Sequence, residues 1–164
     1  MVVALLFSVP GAAAAEVKVG FVNVDKVLSQ APQAQAARKR IEAEFAPKDE
    51  ELLKQQKEIR SLEDRLMRDG DVMAEAQRRK LEQDIRSMKR DFRRSQDEFR
   101  EDLNLRRSQE LSKLQRVVFK VIQDVARDEE YDLILHDGVA FAGARVDITE
   151  SVITRLKAQY ENKQ

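Results

Sequence analysis

The sequence predicts a mainly α-helical protein in which a long antiparallel helical hairpin is inserted into a small, oligomeric β body. Three observations predict it. Two tracts of heptad-spaced apolar residues flank one short break at Gly70-Asp71. Alternating, β-branched segments lie only near the two ends of the chain. The composition, 37% charged and 5% aromatic with no Trp, is poor for a compact sphere of 164 residues. It suits long helices with one narrow buried stripe and wet outer faces.

The first element is a candidate export signal. Val2 to Val9 are apolar, Pro10-Gly11 follow, and Ala12 to Ala15 precede Glu16. An apolar core, a helix breaker and a small-residue site make a secretory signal peptide, with cleavage expected after Ala15. The run is too short to span a bilayer, and no later stretch reaches the ~18 apolar residues a span needs. The mature chain is expected to be soluble and exported.

Residues 17 to 24, Val-Lys-Val-Gly-Phe-Val-Asn-Val, alternate in polarity and read as a strand. Asp25 offers an N-cap for a short helix through Leu28, and Pro32 marks the next helical entry. From about Gln33 to Asp69 the apolar positions are Ile41, Phe45, Leu52, Ile59, Leu62 and Leu66. Their gaps of four, seven, seven, three and four follow the 3.5-residue repeat of a coiled-coil seam. Lys48 and Gln55 occupy seam positions and weaken it. Pro47 lies inside the run, where a missing backbone donor predicts a kink or a junction.

At the break, Gly70 is expected to close one helix in the left-handed conformation and Asp71 to cap the next. The seam resumes with Leu81, Ile85, Met88, Phe92, Phe99 and Leu103, with Ser95 in a seam position. Beyond Leu103 it thickens into Leu111, Leu114, Val117, Val118, Val121, Ile122 and Val125. Two heptad helices joined by a short turn run antiparallel, and each arm of ~37 residues would reach roughly 55 Å. The third zone is again β-like: Tyr131 to His136 as one strand, an Asp137-Gly138 turn, Val139 to Ala142 and Ala144 to Ile148 as further strands. Thr149 or Ser151 is expected to cap a terminal amphipathic helix carrying Val152, Ile153, Leu156 and Tyr160.

The expected organisation is therefore a signal peptide at 1–15, a body made of 16–32 and 128–164, and a hairpin arm at 33–127. Because the hairpin leaves and returns to one place, both ends can join one small sheet. Four short strands and a helix make a thin core with open edges, which oligomerisation would cover.

This layout resembles the Skp/OmpH family of periplasmic chaperones over nearly the whole mature chain. The resemblance rests on Val19-Gly20-Phe21-Val22-Asn23-Val24, on the charged hairpin, and on Arg107-Ser108-Gln109-Glu110 to Leu114 of the returning arm. The closing order adds most: Tyr131-Asp132-Leu133-Ile134-Leu135, then Val139-Ala140-Phe141, then Asp147-Ile148-Thr149 with Val152 and Leu156 behind. The resemblance implies a homotrimer whose barrel-like β body holds three helical arms around a cavity. It also implies ATP-independent binding of unfolded outer-membrane proteins in the periplasm. Well-known members are strongly basic, whereas Lys+Arg and Asp+Glu here both number 30.

Holding an unfolded membrane protein takes many weak apolar contacts on walls that do not themselves aggregate. Candidates for client contact are the off-seam residues Leu53, Met67, Val72, Met73 and Leu105, whose alternative role is packing within the hairpin. Basic residues bunch beyond the turn at Arg78, Arg79, Lys80, Arg86, Lys89, Arg90, Arg93 and Arg94. They read as a solvated face balanced by Glu75, Glu82, Asp84 and Asp91, or as a positive tip that meets anionic lipid or acidic client segments.

An enzyme is not expected. The chain has no Cys, which excludes thiol catalysis, Cys-ligated zinc and attachment of lipid to an N-terminal Cys. His136 is the one histidine and reads as a packed or surface side chain, since acid–base or metal chemistry needs partners. Asp69-Gly70-Asp71 lacks the later oxygen ligands of a calcium loop. No phosphate-cradling or nucleophile-elbow motif occurs, so no cofactor is expected. Neutral charge and the export signal argue against a nucleic-acid partner. The competing reading is a structural coiled-coil scaffold of the envelope with one fixed partner.

Overall fold

A computed structural model describes residues 17–162; the candidate signal peptide lies outside them. The order is β1 (Val19–Phe21), α1 (Val24–Gln30), α2 (Pro32–Asp69), α3 (Glu75–Asp128), β2 (Leu133–Leu135) and α4 (Thr149–Glu161). The two heptad tracts form α2 and α3, which pack along their length as an antiparallel hairpin. At 1.5 Å per residue α2 is about 57 Å long and α3 about 80 Å.

α3 outruns α2 because its last turns do another job. Val118, Val121, Ile122 and Val125 leave the hairpin and enter a dry core with Val22 of the β1–α1 connection, Val27 of α1 and Val152, Ile153 and Leu156 of α4. Most of these side chains are completely buried, and each contributes roughly 1.5–3 kcal/mol by leaving water. Gly20 lets β1 sit tightly here, since a Cβ would come within 3.2 Å of Ile148 and Tyr131 side chains.

β1 and β2 pair in parallel, Val19 opposite Leu133 and Phe21 opposite Leu135, so the whole hairpin serves as their crossover connection. On the other side of β1 a single bridge joins Phe21 to Asp147, with Phe21 N–H donating to the Val146 carbonyl at 2.7 Å. This corrects the expectation of four strands. Residues 139–142 form no strand, and of 144–148 only the bridge at Asp147 pairs. Instead the Val146 and Asp147 N–H groups turn back onto the Gly143 carbonyl. β-propensity alone does not make a ladder: the outer edge of β2 stays open among the described residues, and the chain beyond the Asp137-Gly138 turn does not fold back onto it.

The caps also differ from expectation. Asn23, not Asp25, caps α1, its Oδ1 accepting from Lys26 N–H at 2.9 Å. Neither Thr149 nor Ser151 caps α4. Thr149 is its first residue, held by its own N–H donating to Asp147 Oδ1, while its hydroxyl accepts from Asn23 N–H at 2.9 Å. Gly70 is right-handed (φ −56°) rather than left-handed. The position is tight for another reason: a Cβ there would crowd the Leu66 carbonyl oxygen. Asp71 caps nothing, since α3 starts at Glu75 after Ala74. Pro47 sits on the exposed side of an uninterrupted α2, where water can meet the carbonyl its missing N–H leaves free.

Candidate functional site

The hairpin presents two kinds of surface. Along the seam, Ile41, Phe45, Ile59, Leu81 and Ile85 are buried, and Phe45 meets the edge of Phe99 at 5.6 Å between ring centres. Leu52, Leu62, Leu66, Met88, Phe92, Phe99 and Leu103 are only half-buried. Lys48 avoids the seam and pairs across the arms with Asp102 at 2.7 Å. The arm is thus held by a thin, partly wet stripe.

Outside the stripe, four of the five off-seam residues face solvent: Leu53, Met67 (84% exposed), Val72 (86%) and Leu105. Met73 is half-buried. They do not form one patch. The cross-arm pairs Arg40–Glu110, Glu44–Arg106, Lys48–Asp102 and Lys89–Glu63 show the register, which places Leu105 level with Phe45. Leu53 lies about two turns nearer the tip, while Met67 and Val72 flank the tip turn. Met67 borders a shallow groove with Ile59 and Phe92, floored by apolar side chains and rimmed by Arg60, Glu63 and Lys89.

Five of the eight basic candidates beyond the turn already have carboxylate partners. Arg78 binds Glu75 and Glu82, Arg79 binds Glu75, Arg86 lies 3.8 Å from Glu82, Lys89 binds Glu63 across the arms, and Arg94 binds Asp91. Hydrogen bonds from Arg79 and Arg78 hold the Glu75 carboxyl below its ordinary range. Among the described residues, no carboxylate lies within 4 Å of Lys80, Arg90 or Arg93. His136 is part-exposed, its Nδ1 3.0 Å from Asp137 Oδ2 and its ring against the edge of Phe119.

Two features escape a periodicity reading. The first is a second set of exposed apolar side chains around the body: Leu111, Val117 and Phe119 of α3, Leu133 and Leu135 of β2, and Phe141. A signal for them was present. Beyond Leu103, α3 carries more apolar residues than one seam can cover, so some must face outward. Leu133 and Leu135 share one face of β2, opposite the inward Ile134, beside a strand edge that pairs with nothing among the described residues.

The second is a charge cluster at the root of the arm. Glu110 is the one buried charged residue among those described (6% exposed). It accepts from Lys113 Nζ at 2.9 Å, Arg40 Nη2 at 2.8 Å and Arg106 Nη1 at 2.9 Å. Arg106 also donates to Glu44 at 2.9 Å. The hydrogen bonds from Lys113 and Arg40 bring the Glu110 carboxyl down to about 2. No spacing rule reveals the cluster, because Arg40 lies 70 residues away in sequence. Beside it, an open groove of about 630 Å³ runs between Leu28, Ala34, Ala37, Ile41, Leu111 and Leu114.

Known proteins share this architecture. A family model described as outer membrane protein (OmpH-like) matches residues 18–156. The chaperone protein Skp of Photorhabdus laumondii is 32% identical over 156 residues, covering 94% of this chain and 93% of its own. The Skp of Pectobacterium atrosepticum is 28% identical over 141 residues, covering 85% of this chain and 86% of its own. A crystal structure of an OmpH-like protein from Caulobacter crescentus CB15 superposes with a TM-score of 0.78, covering 94% of this chain and 92% of that one. At 15% identity it supports the fold alone. The crossover hairpin, the dry body and a match spanning nearly every described residue place this chain in the Skp/OmpH family of non-enzymatic chaperones.

Proposed function

We propose that the protein is an ATP-independent holdase of the periplasm. It binds unfolded outer-membrane β-barrel proteins, keeps them from aggregating and aids their delivery to the outer membrane. One observation supports this most: apolar side chains stand apart along highly charged arms, with Leu105, Leu53 and the tip residues Met67 and Val72 exposed at three levels. Scattered contacts worth about 25 cal/mol per Å² each hold weakly and together hold well. The charged faces between them keep the arms from sticking to one another.

The working unit is a homotrimer assembled through the body, residues 16–32 and 128–164, with residues 33–127 as the projecting arm and residues 1–15 as a cleaved export signal. Support comes from the open edge of β2 and the outward Leu133, Leu135 and Phe141, which a lone chain leaves wet. Lys80, Arg90 and Arg93 are the cations left to meet anionic lipid or acidic client segments. A scaffold with one fixed partner is less well supported, because the half-wet seam offers no long complementary stripe.

The deciding experiment dilutes an unfolded porin, without ATP, in the presence and absence of the chain from residue 16 onward. Suppressed light scattering for several unrelated porins is expected, with a trimer in sedimentation velocity on the same sample. Saturable binding of one folded partner with no suppression would replace the holdase reading by the scaffold one.

A further inference from the structure

We propose that the Glu110 cluster is a register lock for the hairpin: it fixes which levels of α2 and α3 face each other. The inference stands apart from the client reading and needs only the fold.

The distal seam cannot set its own register well. Leu52, Ile59 and Leu66 on α2 repeat every seven residues, as do Ile85, Phe92 and Phe99 on α3. Sliding one helix past the other by a heptad therefore returns apolar residues to apolar neighbours, and the half-buried, polar-interrupted stripe penalises the slip little. The short link at 70–74 opposes a slip only until a helix end frays.

The root is different. Counting in heptad steps from Phe99 and Leu103 brings Arg106 and Glu110 to the seam itself, directly before Leu114. α2 faces them with Glu44 and Arg40, and the Arg40 guanidinium reaches the Glu110 carboxylate at 2.8 Å from a partly exposed position. Glu110 takes three hydrogen bonds from cations, of which Arg106 and Lys113 travel with it on α3 and Arg40 alone comes from α2. A heptad slip brings Gln33 or Pro47 to the place of Arg40. The first offers the buried carboxylate a neutral amide and the second no side-chain donor in place of the guanidinium, while Glu44 beside Arg106 gives way to Ala37 in the first and to Glu51 in the second. One misaligned charge is penalised where several misaligned leucines are not. Single buried polar groups set alignment in coiled coils in the same way, with little or no gain in stability.

The absence of cysteine makes the test direct. Cysteines introduced at the exposed positions Lys54 and Glu101 carry spin labels, and labelled chain is diluted in unlabelled chain so that only distances within one chain are read. The parent should give one narrow distance by pulsed electron paramagnetic resonance. The double variant Arg40→Leu/Glu110→Leu keeps the helices and loses the lock. A second population at a distinct distance, arising from an axial slip of about 10 Å (one heptad of helical rise), is expected at unchanged or higher thermal midpoint. A single narrow distance in that variant overturns the proposal. Should the double variant lose its helical circular dichroism, Arg40→Leu alone decides, because Glu110 keeps Arg106 and Lys113. A second population in it supports the lock, and one narrow distance refutes it.

Discussion

The body and the distal arm are built from the same residue types but held together differently. In the body, side chains from the β1–α1 connection, α1, α3 and α4 converge from several directions, and Val22, Val27, Val118, Val121, Val152, Ile153 and Leu156 are almost wholly buried. In the distal arm two helices meet along one line, and most seam residues keep part of their surface wet. A two-helix contact has no third neighbour to close it. The lesson is that stability is concentrated at one end of the molecule, and the exposed apolar residues of the arm sit on the compliant end.

The largest expected difference comes from matched truncations. Leu156→Ala in the body should cost about 2–5 kcal/mol. Leu62→Ala in the distal seam should cost about 1 kcal/mol, since its side chain is already half in water. Chemical denaturation at one fixed protein concentration measures both, and equal losses would break the comparison. Hydrogen exchange sharpens it without mutation: amides of α3 from Val118 to Val125 should exchange about a hundredfold more slowly than those from Gln83 to Ser95.

Acid should weaken the arm root. The folded Glu110 carboxyl lies at about 2 against an ordinary value of 4.5, so the unfolded chain takes up its proton first. The stabilisation is whole above about 4.5 and is lost as pH falls toward 2. Glu110→Gln should cost about 1–2 kcal/mol at neutral pH, the cations around it being partly exposed. It should also flatten the acid limb of a stability–pH profile, and an unchanged slope would show that the carboxylate carries no such linkage. Asp147, held below its ordinary range chiefly by Thr149, acts in the same direction and should remain in the variant. The smallest effect is expected from Lys48→Leu, which fills a seam gap and removes an exposed pair with Asp102. A rise of at most about 1 kcal/mol should appear in the unfolding free energy.

The contrast also explains what was legible in the sequence. The hairpin was, because heptad spacing is a local property and both tracts carry it, with Pro32 at the entry and Gly70 at the break. The terminal helix was, from Val152, Ile153 and Leu156. The body was legible only as β-like segments: β-propensity does not say whether Val139 to Ala142 folds back onto the nearby edge of β2, and it does not. The cap of α1 was misplaced by two residues because Asn23 and Asp25 are equally good caps, and packing of Val24 decides between them. Among the candidate contact residues, Leu53, Met67, Val72 and Leu105 were legible as apolar residues off the stripe. Glu110 was not, since hydrophobic periodicity passes over charged residues and its donor sits on the other helix.

α3 passes without a break from the tip turn into the core of the body, ending four residues before the strand that follows it. It is therefore a lever with its short end clamped in the core. A sideways load near Glu75 acts over about 65 Å of rod before it reaches the valines that grip it. No joint within α3 relieves that torque, so what tugs on the tip is felt at the sheet.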